Sequence, residues 1–142
     1  MAATTTARPT KQRSSGTSIL YEFDPLAVAA SVACNSGAMA AIDTSGNIRP
    51  ARTSTTDRVL GVFCGEADNA DGAAGDIAVR VKRGVYQFAN SASTDAIAAK
   101  DIGADCYAVD DQTVALTNGT NTRVRAGRIV GVDSGGVWVE FY

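Results

Sequence analysis

The residues of this chain that could do chemistry are few and badly spaced for it. Asp110 and Asp111 are adjacent carboxylates, the pairing that acid–base hydrolysis uses. Neighbouring side chains on a strand or turn point apart, and a turn explains both aspartates without catalysis. A second acidic stretch, Glu66-Ala-Asp68-Asn69-Ala-Asp71-Gly72 with Gly75-Asp76, has the look of a cation loop. A calcium loop needs oxygen ligands at alternate positions, glycine at the sixth and glutamate at the twelfth, and no register here provides them. Cys34, Cys64 and Cys106 are far apart, with no C-x-x-C for zinc, and each sits among small or apolar residues as a buried thiol does. Their odd number argues against a disulfide framework.

Histidine is absent altogether. That removes the commonest general base and the commonest metal ligand, and with them the Ser-His-Asp and Cys-His arrangements. No phosphate-cradling G-x-x-x-x-G-K and no G-x-S-x-G elbow occurs. The sequence therefore implies no enzyme, no cofactor and no metal.

Charge is the remaining resource. Thirteen basic against fifteen acidic residues leave a formal charge of −2 in 142 residues. Such a balance offers no broad field to nucleic acid. Locally the balance breaks. Up to Leu20 the chain carries Arg8, Lys11 and Arg13 and no acid, and Arg80, Lys82 and Arg83 make the densest basic cluster. On a strand face the cluster could meet an acidic partner, but a solvated face is the favoured account of it. Interleaved aromatics, which a nucleic-acid site would want, are missing.

The elements that must position these residues read as strands. Ile77, Val79 and Val81 alternate with Ala78, Arg80 and Lys82, the period of a sheet with one core face. Val85 to Ala89 continues beyond Gly84, with Tyr86 and Phe88 on one side. Met39–Asp43 and Ile48–Ala51 flank the turn cluster Thr44-Ser45-Gly46-Asn47, a hairpin pattern. Val59–Cys64 makes a further strand, and residues 65–76 a long loop. Cys106–Val109 and Thr113–Leu116 flank Asp110-Asp111-Gln112. The last hairpin joins Arg128–Val132 to Val137–Tyr142 through Asp133-Ser134-Gly135-Gly136. Asp24-Pro25 has the form of a helix start, but the alanine-rich run after it lacks a polar face, so extended chain is expected there. One short helix is expected over Ala96–Ile102, with Ser93-Thr94-Asp95 to cap it and Gly103 to end it.

The expected fold is all-β: an antiparallel β-barrel or β-roll, tulip-like, of one domain over residues 19–142. Ile19–Phe23 is its first strand. A basic, flexible arm over residues 1–18 precedes it, either a dispensable tail or a strap that orders on a partner. Nothing in the chain has the apolar length of a secretory signal or a membrane span, so synthesis in a cytoplasm and no membrane partner are expected.

Several phrases in order resemble a known family. Gly37-Ala-Met-Ala-Ala-Ile-Asp43 leads to Gly46-Asn47-Ile48-Arg49-Pro50-Ala51, and then to Arg58-Val-Leu-Gly-Val62. Ala67-Asp68-Asn69 with Gly72 and Gly75 precedes Ile77–Val81 and Arg83-Gly84-Val85-Tyr86. Tyr107-Ala-Val-Asp-Asp-Gln-Thr113-Val precedes Ala126-Gly-Arg-Ile-Val-Gly-Val132 and the Trp138 strand. Over about residues 30–142 this order is similar to the decoration, or cement, proteins of tailed-bacteriophage heads. The arm and Asp24-Pro25 fit that family less well. The resemblance implies a homotrimer on the outer capsid surface that braces neighbouring major capsid subunits. Arg8, Lys11, Arg13, Arg80, Lys82 and Arg83 are then the candidate capsid contacts, and Tyr86, Phe88, Trp138 and Tyr142 the candidate trimer contacts. The alternative from the same β pattern is a tail or fibre component, or a carbohydrate-binding adhesin using Trp138 with Tyr142 as a platform.

Overall fold

A computed structural model describes residues 2–13 and 21–142. Residues 14–18 of the expected arm, together with Met1, Ile19 and Leu20, lie outside the described residues. The strands in order are β1 (Gln12–Arg13), β2 (Tyr21–Glu22), β3 (Leu26–Ala27), β4 (Val32–Cys34), β5 (Met39–Ile42), β6 (Ile48–Pro50), β7 (Arg58–Phe63) and β8 (Ala67–Asn69). They continue as β9 (Ala78–Val79), β10 (Val81–Arg83), β11 (Val85–Asn90), β12 (Asp105–Ala108), β13 (Thr113–Ala115), β14 (Arg125–Asp133) and β15 (Gly136–Glu140).

The all-β expectation holds. One sheet runs β1-β11-β13-β12-β14-β15, and a further β11–β15 pairing closes five of its strands into a barrel. All its pairings are antiparallel except β11–β13, where Ala89 and Asn90 run parallel to Thr113 and Val114. A second sheet, β2-β10-β7-β5-β6, is antiparallel throughout. The chain passes from the second sheet to the barrel at Gly84, between β10 and β11.

Two cores follow from strand alternation. Met39, Ala41 and Val62 of the second sheet join Tyr86, Phe88, Cys106, Val114, Ile129, Val137, Val139 and Phe141 in and around the barrel. Ala40, Leu60 and Phe63, on the opposite face, pack with Val28, Ile48, Val79 and Val81 under the chain of residues 23–34. The second sheet is thus covered on both sides, which its alanines and valines permit and bulkier side chains would not. The three phenyl or phenol rings of the barrel meet: Phe88 stands edge-on to Phe141 at 5.7 Å, and Tyr86 lies 6.2 Å from it.

The expected helix is absent. Ser93–Asp95 and Ala99–Asp101 form two separate 3₁₀ turns with extended chain between them. Asn90 is the reason. Its Oδ1 accepts from the Ile97 N–H and its Nδ2 donates to the Ile97 carbonyl, both at 2.8 Å, so Ile97 is held flat and buried against the barrel. The loop expected over residues 65–76 contains β8, which pairs with β4.

Two glycines carry contrasting constraints. Gly46 turns the β5–β6 hairpin at φ +82°, with open space where a side chain would go. A Cβ on Gly61 would collide with the Lys82 carbonyl oxygen across β7 and β10. Gly46→Ala is expected to cost about 1 kcal/mol of backbone strain. Gly61→Ala is expected to cost roughly 3 kcal/mol, because two paired strands must separate. Urea unfolding followed by Trp138 fluorescence measures both, and equal losses would contradict this ordering.

Candidate functional site

The face that draws together most of the notable side chains is the one where residues 2–13 lie against the barrel. Thr4 is fixed by Asp111. Its N–H donates to Oδ1 at 2.8 Å and its hydroxyl to Oδ2 at 2.7 Å. Asn35 Nδ2 donates to both the Thr4 carbonyl and hydroxyl oxygens, at 3.1 and 3.0 Å. Gln112 Nε2 reaches the Ala2 carbonyl. Arg8 is the next anchor. Its guanidinium donates to the Gln87 carbonyl at 2.8 Å and lies 4.9 Å from the centre of the Phe88 ring. The Arg8 N–H donates to Ser36, and the Thr10 hydroxyl to the Gly37 carbonyl. The segment ends as β1, which pairs with Tyr86 and Val85 of β11.

The local sequence explains the cradle. Asp110 caps its own turn, accepting from the Gln112 N–H at 2.9 Å, so Asp111 is left to face the arm. The two carboxylates therefore serve different partners. The Asp111 carbonyl also accepts from Met39, which ties the β12–β13 turn to the second sheet. Asp111 is 1% exposed. Burial raises its carboxyl above the ordinary value, while the Thr4 bonds oppose the rise. Burial lowers the Arg8 guanidinium, against which the Asp111 charge acts.

Residues 2–13 are thus docked on the body of their own chain, rather than awaiting a partner to order them. The composition of the arm concealed this, because its contacts are polar and backbone-directed and leave no hydrophobic pattern. Of the candidate capsid contacts, Arg13 is placed only by its backbone in β1, and Lys11 is exposed. Arg80 is exposed, while Lys82 and Arg83 are half-buried. Lys82 Nζ lies 5.7 Å from the Tyr86 ring centre, and the Arg83 guanidinium 5.2 Å from that of Phe23. Arg8 and Lys82 line one cavity of about 200 Å³, so the fold does unite part of the arm with part of the strand cluster.

The candidate trimer contacts need correction. Tyr86 and Phe88 are 2% and 0% exposed, because closure of the barrel turns their shared face inward. Trp138 is on the outer face yet only 8% exposed. Its indole N–H donates to Asp133 Oδ2 at 2.9 Å, beside the Gln87 amide on Oδ1 at 2.7 Å. Tyr142 alone of the four is exposed, at 51%. No sugar platform of Trp138 and Tyr142 results. Asp133 was legible only as a turn former, and nothing in the sequence signals that its side chain clamps two strands.

The acidic loop spends its side chains on itself. Asp68 accepts from Ala70 and Asp76 from Ala73, while buried Asn69 donates to the carbonyls of Ala29 and Ala73. Among the described residues no cluster of three or more His, Cys, Asp or Glu could hold a metal ion. The three cysteines are free. Burial pushes the thiols of Cys34 and Cys106 up to about 12, and raises Cys64 as well. Thiols held protonated in this way are poor nucleophiles at neutral pH. No helix among the described residues is long and apolar enough to cross a membrane.

Comparison with protein-family models, with curated proteins and with solved structures finds no match to this chain.

The buried carboxylate makes the stability of the fold sensitive to pH. Above the ordinary carboxylate pKa and up to the raised value, the folded chain holds a proton that the unfolded chain has lost. Stability contributed by Asp111 therefore falls as pH rises through that window. Asp111→Asn removes the dependence. Urea midpoints measured from about pH 3 to about pH 7 should show wild type losing ground to the variant as pH rises. A difference that stays constant over that range would count against the assignment.

Proposed function

We propose that this chain is a non-enzymatic structural protein that decorates the head of a tailed bacteriophage, bracing neighbouring major capsid subunits from the outer surface as a homotrimer. The observation that carries the reading is the arm. Its last described residues are a two-residue strand at the edge of the barrel sheet, held by backbone pairing and polar contacts. An edge of that kind can receive a strand from a neighbouring protein by the same backbone bonds. The ordered glycine phrases give independent support. Gly37, Gly46, Gly61 and Gly127 stand at turns or at close backbone approaches that a side chain would obstruct. The likeness to decoration proteins therefore rests on positions where the fold demands glycine.

The basic side chains fit the same reading. Arg80 projects from the body and Lys11 from the arm, both exposed, whereas Lys82 and Arg83 lie over aromatic rings. In this reading they meet acidic groups of the capsid, and Arg8 acts indirectly by holding the arm in place. With Tyr86 and Phe88 inside the protomer and Trp138 nearly covered on its outer face, a trimer seam would draw on Tyr142 and on polar surface.

Two measurements test the proposal. Sedimentation of the purified protein should give a trimer. Arg80→Glu should leave the thermal midpoint unchanged and weaken attachment to undecorated heads by about tenfold, the scale of one charge-assisted contact. A monomer at all concentrations, or undiminished attachment of the variant, would overturn the reading.

A further inference from the structure

Three arginines from three different strands converge on one cavity. Arg58 begins β7, Arg83 ends β10 and Arg125 begins β14, and together with Thr56, Asp57 and Tyr142 they line a hollow of about 350 Å³. Like charges gathered by a fold repel one another unless something neutralises them. The carboxylate in the lining does not do so. Asp57 is nearly fully buried and is engaged by Arg52, whose Nε and Nη2 donate to its two oxygens at 2.7 and 3.2 Å. Asp105 takes Arg125 Nε at 2.9 Å and also accepts from the Tyr142 hydroxyl at 3.3 Å. Glu140 lies opposite Arg128 in the β14–β15 pairing.

Donors remain over after these pairings. Arg125 Nη2 and Arg83 Nε are both shielded from solvent without a hydrogen-bond partner among the described residues. A buried guanidinium N–H left without an acceptor carries a desolvation penalty that an incoming anion would remove. The arginines are also stiffened. Arg125 stacks 3.9 Å and Arg128 4.9 Å from the centre of the Tyr142 ring, and Arg83 lies over Phe23. A guanidinium held by its flat face keeps its edge donors aimed, and edge donors suit a planar carboxylate.

We propose that this hollow is a binding site for an acidic segment of a partner protein, with an Asp or Glu carboxylate seated between Arg58, Arg83 and Arg125. The hollow is large enough for one or two acidic side chains. A polynucleotide suits it less well, because the chain as a whole is acidic, with a pI near 5.0, and because the Tyr142 ring is already engaged by Arg125 and Arg128. The inference does not depend on the capsid reading, and the site would serve any partner that offers such a segment.

Titration of the full chain with a hexaglutamate peptide tests it, with inorganic phosphate and a single-stranded oligonucleotide as separate probes. Hexaglutamate is expected to bind with an affinity that falls as salt rises. Arg58→Gln, an exposed position that leaves the core untouched, should weaken binding by about tenfold. Arg125→Lys keeps the charge but loses the fork, and should weaken it by a similar factor. Lys100→Gln, an exposed position outside the hollow, should bind as wild type does. The proposal is overturned if the peptide fails to bind at low salt, if Lys100→Gln weakens it as much as Arg58→Gln, or if phosphate or the oligonucleotide binds more tightly than the peptide.

Discussion

Strand β11 is the constraint on which the rest of the structure depends. Three other strands pair with it. Residues 85–88 pair with β15, residues 89–90 turn to β13, and β1 covers the side that β13 leaves open. Inward, Tyr86 and Phe88 fill the barrel against Phe141. Outward, Gln87 is held by Asp133 through its amide and by Arg8 through its carbonyl. A strand satisfied on every side cannot slip in register without breaking several of these at once. Barrel closure, the position of the arm and the burial of the aromatics all follow from it.

The arm is best understood as part of that closure. It brings a hydroxyl and an N–H to a carboxylate that the barrel has buried, and a guanidinium to the ring of Phe88. Such contacts hold a short segment firmly while burying little apolar area, so an arm of this kind can be docked and still be exchangeable. A buried carboxylate with incomplete partners is costly. The arm therefore contributes to the body as well as to whatever the edge of β1 meets.

Much of the fold was legible because strand alternation and turn glycines are local signals. The β5–β6 and β14–β15 hairpins, and the two-faced pattern of Ile77 to Lys82, appear where alternation places them. The helix over residues 96–102 failed because Asn90, several residues upstream, claims both backbone groups of Ile97. Tyr86 and Phe88 failed as surface residues for a related reason. Alternation tells which residues share a face, but only closure decides which face is inside. The Arg58–Arg83–Arg125 hollow was illegible altogether, since its members lie on strands far apart in sequence. In the sequence Arg83 stands out only beside its neighbours Arg80 and Lys82.

What unites these features is a β body that buries Tyr86, Phe88 and Phe141 and whose outer resources are charge, hydrogen bonds and a strand edge. Such a body suits the bracing of other proteins more than the turnover of a substrate. The most direct measurement is an electron-microscopy reconstruction of undecorated phage heads before and after incubation with the purified chain. The account predicts added bead-like densities on the outer surface, bridging adjacent capsid subunits. Heads that look the same in both reconstructions would contradict it.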